Sequence, residues 1–202
     1  MIHVRIFCAL LCSLLATSGC KPIPTEPETT LDGLVYVNNS WGFRISRPND
    51  QWGIDVATIT SQRDINGLPP VTVRMLSPGL TGEGGFRPQM RLEPRALPAN
   101  FTTMTLDQLV QEFEEQYLML AFDQYRVIGE KQRIRLRVGE AIQWQFRYSQ
   151  LERSNRAYPG TRFLVAIAIH NQVGYYMIGN GSRDAGYPLT EYEQIVASLE
   201  FQ

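Results

Sequence analysis

From Trp41 onward apolar and polar residues alternate: Trp41, Phe43 and Ile45 fall on one side of the chain, Gly42, Arg44 and Ser46 on the other, and Pro48 ends the run. A period of two predicts a half-buried strand. An apolar run at 34–37 precedes it across the polar break Asn38-Asn39-Ser40, and strand-like runs follow at 53–60, 71–76 and 89–92. Pro69-Pro70 and the glycine-rich stretch 79–85 punctuate this series, and residues 77–98 read as an insertion within it.

The period then changes. Thr105 and Gln108 have capping-box spacing, and Leu106, Leu109, Val110, Phe113, Tyr117 and Leu120 recur as one helical stripe, which predicts a single long helix. Alternation returns at 131–149, where Arg133, Arg135 and Arg137 interleave with Ile134, Leu136 and Val138, and Gln143, Gln145 and Arg147 with Ile142, Trp144, Phe146 and Tyr148. A three-residue loop at 138–140 would pair Leu136 with Ile142 and Arg135 with Gln143, keeping like with like on each face. That register is the expectation.

Residues 163–169 are apolar on both faces, the mark of a central strand, and Ala166 and Ala168 leave room for a helix to approach. A turn at 172–174 leads into the apolar run 175–178. A second capping box, Thr190 with Glu193, opens a last helix that lines up Tyr192, Ile195, Val196 and Leu199. Few helices and sequential hairpins predict an α+β domain with a largely antiparallel sheet.

Before all this stands Arg5, an apolar stretch at 6–16 and Thr17-Ser18-Gly19-Cys20. Positive start, short apolar middle and small residues at the end make an export signal, and the apolar stretch falls short of the ~20 residues of a spanning helix. Its ending resembles the bacterial lipobox, with Thr17 where Leu is usual. The resemblance implies cleavage after residue 19 and lipidation of Cys20; the other reading is an ordinary signal peptide that leaves Cys20 a free thiol. Cys8 and Cys12 lie inside the signal, so Cys20 has no disulfide partner in the exported chain, and a lipid accounts for a lone exported cysteine. Lys21 after the cysteine, by resemblance to the sorting rule of enteric bacteria, favours the outer membrane. Residues 20–33, with three prolines and little bulk, read as an extended tether, and 34–202 as one domain.

The opening Tyr36-Val37-Asn38-Asn39, then Trp41-Gly42-Phe43-Arg44-Ile45-Ser46-Arg47-Pro48 and Trp52, resembles the start of PsbP-like domains. The close is similar too: an apolar strand, then Tyr175-Tyr176-Met177-Ile178, then a helix ending in Ala197-Ser198-Leu199-Glu200-Phe201. The resemblance implies an αβα sandwich around a central, largely antiparallel sheet of about six strands. It also implies a protein-binding role rather than catalysis, and brings no catalytic motif to carry over.

Of the 19 basic residues one, Arg5, leaves with the signal, so 18 bases face 20 acids in the exported chain. Such balance argues against nucleic acid as a partner. His170, the one histidine beyond the signal, lacks a Gly-x-Ser-x-Gly elbow and reads as a strand-end residue rather than a general base. One histidine and a lipidated cysteine leave no zinc ligand set. Asn180, Ser182, Asp184 and Glu191 have EF-hand spacing, but Ala185 stands where that loop needs glycine, so a polar turn is expected. Glu112, Glu114 and Glu115 fall off the helical stripe and read as a solvated face. No cofactor and no enzyme activity are expected. The one candidate binding surface is Arg133, Arg135, Arg137 and Arg147, read as a basic sheet face for an acidic envelope partner; a small-ligand carrier using Trp144, Tyr175 and Tyr176 is the alternative.

Overall fold

The computed structural model describes residues 29–79, 87–99, 103–122, 124–148, 161–180 and 187–202. The segment read as an export signal and Cys20 lie outside the described residues. One strand lies inside the stretch expected to be tether: β1 (Thr29–Asp32) pairs antiparallel with β2 (Val35–Asn38), Thr29 opposite Asn38. Gly33, with φ of 56°, supplies the left-handed turn between them. β3 (Phe43–Ser46) pairs with β2, and the C-terminal β11 (Glu200–Phe201) closes this four-stranded sheet in the order β1-β2-β3-β11.

The remaining strands, β4 (Gly53–Thr58), β5 (Val71–Leu76), β6 (Gln89–Ala96), β7 (Arg126–Arg135), β8 (Glu140–Tyr148), β9 (Thr161–His170) and β10 (Val173–Asn180), form one antiparallel sheet ordered β4-β5-β6-β10-β9-β8-β7. The expected αβα sandwich is therefore overturned. The fold is β-rich, with two sheets and a seven-stranded main sheet in place of about six strands between helical layers. The reason is local pairing: the alternating segments at 29–46 join each other and β11, and this second sheet, with α3 (Leu189–Ala197), covers one face of the main sheet. The stretch read as an insertion contributes β6, an interior strand. Among the described residues no helix is long and apolar enough to cross a membrane.

Two hydrophobic cores lie on opposite faces of the main sheet. On one, Phe43, Ile45, Met90, Tyr175, Ile195 and Val196 pack between the two sheets and α3. On the other, α1 (Leu106–Phe113) lays Leu106, Leu109, Val110 and Phe113 over Ile142, Trp144, Val165 and Ile167. Alternate residues of β9 serve both, Leu164, Ala166 and Ala168 facing α3 and Val165 and Ile167 facing α1. Buried Asn38 is satisfied: its Nδ2 donates to the Tyr36 hydroxyl at 3.1 Å and its Oδ1 accepts from Trp41 N at 3.0 Å.

Several local expectations need correction. The capping box at Thr105 and Gln108 is present in both directions, but the helix does not stay α. A π-helical turn (Glu114–Leu118) intervenes before the last turn α2 (Met119–Ala121). A π turn adds a residue, so the buried stripe steps from Phe113 to Leu118, which is wholly buried, while Tyr117 is 37% and Leu120 75% exposed. α3 starts two residues early, after Pro188 and without a side-chain cap, so the Thr190 box does not form. The β9–β10 hairpin turns at Asn171-Gln172, both with positive φ, rather than at 172–174.

Gly179 of β10 is where the Tyr192 ring of α3 rests on the sheet: a Cβ there would lie 2.6 Å from Tyr192 Cδ2. Gly179→Ala should therefore cost about 1–3 kcal/mol by overpacking, read as a lower urea midpoint with an unchanged m-value. Burial also raises the phenol pKa of Tyr36, Tyr175 and Tyr192, and pushes Tyr176 up to about 12. Since the fold favours the neutral phenol, this stability is complete below about pH 10 and is lost as pH rises above it. Alkaline titration should show phenolate absorbance of these tyrosines appearing with loss of circular dichroism, not before it.

Candidate functional site

The four arginines read as one basic face do not share a face. β7 and β8 pair with Arg135 opposite Glu140, Ile134 opposite Ala141 and Arg133 opposite Ile142, leaving a four-residue loop, Leu136 to Gly139, instead of the expected three. Leu136 turns into the core shared with α3, which sets this register. Between Ile128 and Gln132 the register shifts, three residues of β7 opposing Trp144 alone. Arg133 and Arg135 thus lie on the α1 side with Ile142, Arg147 lies on the opposite side across from Arg126, and Arg137 belongs to the loop.

Two of these charges, those of Arg133 and Arg137, are committed locally. Arg133 donates to Asp107 of α1 at 2.6 Å and also pairs with Glu140. Arg137 pairs at 2.8 Å with Glu200, which also holds Arg44, and these guanidinium groups, Arg137 foremost, keep the Glu200 carboxyl below its ordinary range. Exposed pairs of this kind contribute little to stability.

Next to Arg133 a groove of about 540 Å³ runs between α1 and the β7 edge, lined by Asp107, Gln111, Glu114 and Glu115 on the helix and Lys131 and Arg133 on the strand. Glu114, at the start of the π turn, is largely buried rather than solvated. Its Oε1 accepts from the Tyr125 hydroxyl at 2.7 Å, that hydroxyl accepts from Trp144 Nε1 at 2.9 Å, and Oε2 accepts from Lys131. The Lys131 ammonium also lies 5.3 Å from the Trp144 ring centroid. Burial, then the Glu114 carboxylate, raises the Tyr125 pKa, so the phenol stays a neutral donor. The four groups satisfy one another and brace the π turn against the bulged edge. Trp144 and Tyr176 lie in the core under α1 and Tyr175 in the core on the other face, so these aromatic residues do not gather around one cavity.

The surface that does bring arginines together lies elsewhere. A seven-stranded sheet is about 29 Å between its outer strands at ~4.8 Å spacing, whereas a helix is ~10 Å across. α1 and the π turn after it rest on β8, β9 and Tyr176 of β10, and among the described residues no helix packs on the β4 to β6 side of that face. Beyond Tyr176, strands β6, β5 and β4 turn their non-core residues outward. Arg91, Glu93 and Arg95 come from β6, Thr72 and Arg74 from β5, and Asp55 from β4. Arg74 lies directly across from Arg91. Asp55 draws Arg74 one way, while Glu93 draws Arg91 the other at 3.2 Å and takes Arg95 at 2.8 Å. Arg95 sits 5.4 Å over the Tyr176 ring. These arginine side chains are 38–49% exposed, and each has five donors against one or two carboxylate contacts. Sequence reading missed this face although the alternation Val73-Arg74-Met75 and Met90-Arg91-Leu92-Glu93 was the signal for it.

His170 stacks flat on Phe201 at 4.7 Å, a packing role at the strand end. Asn180 Oδ1 accepts from Gln89 N at 3.1 Å, while Ser182 and Asp184 lie outside the described residues, as do residues 80–86 of the glycine-rich stretch. Among the described residues no group of three or more His, Cys, Asp or Glu is placed to hold a metal ion.

No family model and no curated protein matches the chain. A solved structure from Bacteroides thetaiotaomicron VPI-5482, determined at 1.50 Å, is similar, with a TM-score of 0.49, 10% identity and 85% of this chain covered. The alignment takes in 49% of that protein, so the chain spans about half its length.

Tyr125→Phe should leave Trp144 Nε1 without its acceptor and Glu114 Oε1 without its donor, at a cost of about 1–3 kcal/mol measured by denaturant unfolding. Lys131→Met, which keeps the stem over Trp144, should cost less than half as much.

Proposed function

We propose that this protein is a non-enzymatic, lipid-anchored module of the bacterial envelope that binds another envelope protein. The observation that carries the binding role is the open half-face on β4, β5 and β6. A sheet surface wider than one helix can cover presents three arginines from adjacent strands with donors to spare. Guanidinium groups suit planar recognition of carboxylates, so an acidic protein surface fits it better than a neutral one. The Cys20 lipobox and the proline-rich segment after it support attachment to the exported side of a membrane, the outer membrane by the Lys21 rule, with acyl chains each contributing ~0.8 kcal/mol per buried CH₂.

Two measurements test the two halves. In fractionated cells the wild-type chain is expected with membranes and Cys20→Ala in the soluble envelope fraction; membrane retention of the variant would refute the anchor. For binding, in-cell crosslinking should yield one reproducible acidic partner. The pair Arg74→Ala and Arg91→Ala should weaken its capture about tenfold or more, and Arg133→Ala with Arg135→Ala should leave it intact. Equal capture by both double variants would remove the sheet face from the mechanism.

A further inference from the structure

The main sheet has two outer strands, and they are finished differently. β7 is bulged opposite Trp144 and carries Arg126, Lys131, Arg133 and Arg135, the devices that keep an edge from pairing with another chain. β4 has neither protection. It pairs with β5 without a break from Gly53 to Thr58, contains no lysine, arginine or proline, and its one charge, Asp55, is drawn inward to Arg74.

The direction of its backbone groups can be worked out. Ile59 N donates to Pro70 O at 3.0 Å, so the odd residues Gly53, Asp55, Ala57 and Ile59 form the hydrogen-bonded pairs with β5. The bond from Ser77 N to Pro88 O fixes the same alternation from the other side, since it turns the odd residues of β5 toward β6 and the even ones toward β4. Ile54, Val56 and Thr58 therefore point their N–H and C=O groups away from the sheet, and no described residue pairs with them. Val56 and Ile59 are also 37% and 46% exposed.

We infer that β4 is the contact through which two copies of this chain form a symmetric dimer, their main sheets joined edge to edge. The strand is self-complementary in one register. A two-fold axis at Val56 sets Val56 against its counterpart, Ile54 against Thr58 and Asp55 against Ala57. All three outward residues then form hydrogen-bonded pairs, about six bonds in all, and no like charges oppose. Moving the axis to Asp55 would face two carboxylates; moving it to Ala57 would leave two such pairs. β7 would instead bring its cations together. The dimer would place the two arginine faces side by side on one continuous sheet. The inference is independent of which partner that face binds.

The test is the mass of the full-length chain in solution across about 1–200 µM, by light scattering or sedimentation. A concentration-dependent dimer is expected. Val56→Pro removes an N–H that β5 does not use and should give a monomer that melts where dilute, monomeric wild type melts, whereas Ala57→Pro, which removes a bond to β5, should destabilise the fold. Val56→Lys and Val56→Glu should each be monomeric alone and form a one-to-one heterodimer when mixed, an outcome that a merely weakened fold would not produce. A wild-type chain that stays monomeric throughout, a dimer that survives Val56→Pro, or charge variants that fail to combine would each overturn the proposal. So would loss of a crosslinked foreign protein, rather than of a dimer, in Val56→Pro, since the edge would then serve another chain's strand.

Discussion

The rest of the structure hangs on the close approach of α3 to strands β9 and β10. Ala166 and Ala168 face α3, and Gly179 lies under the Tyr192 ring, whose hydroxyl donates to Asn180 O. With larger side chains there the helix would stand off, and the layer it shares with the four-stranded sheet would lose its packing. β11 follows α3 by two residues and pairs with β3, so the position of the helix also sets the position of the small sheet. The opposite face of the same strands carries Val165, Ile167 and Tyr176 under α1. One strand layer thus serves two cores, and a change on either side is felt across it.

Coverage of that layer is unequal, and the inequality is where function becomes possible. One face is closed by a sheet and a helix together. Among the described residues the other has only α1 and the short turns that continue it, over its β8 to β10 side, so the β4 to β6 side meets solvent and must be polar. Its arginines and carboxylates neutralise each other in part, which keeps a like-charged cross-strand pair, Arg74 and Arg91, tolerable in the free protein. A surface held this way is ordered before any partner arrives, so less conformational entropy is lost on binding.

Much of the secondary structure was legible. The run at 71–76 is β5 to the residue, the capping box at Thr105 forms as read, and Tyr192, Ile195, Val196 and Leu199 are all buried. The failures have particular causes. The helical stripe assumed 3.6 residues per turn and went wrong at the π turn, which the Glu114, Tyr125 and Trp144 contacts across 30 residues of chain hold in place. The β7–β8 register assumed that like faces like, but Leu136 gains more in the core near Phe201 and α3 than in the ladder, and Arg133 can sit beside Ile142 because Asp107 of α1 receives it.

The sequence by itself determined roughly which segments between residues 34 and 202 are strands and which are helices, and which residues are apolar enough to be buried, because period, capping and composition act between near neighbours. Only the tertiary structure decided that 29–46 makes a second sheet with β11, that the insertion supplies an interior strand, and which arginines share a face. Strand partners and register are fixed by contacts between residues far apart in the chain, and a slip of one residue reverses every side chain without altering the pattern that predicts the strand.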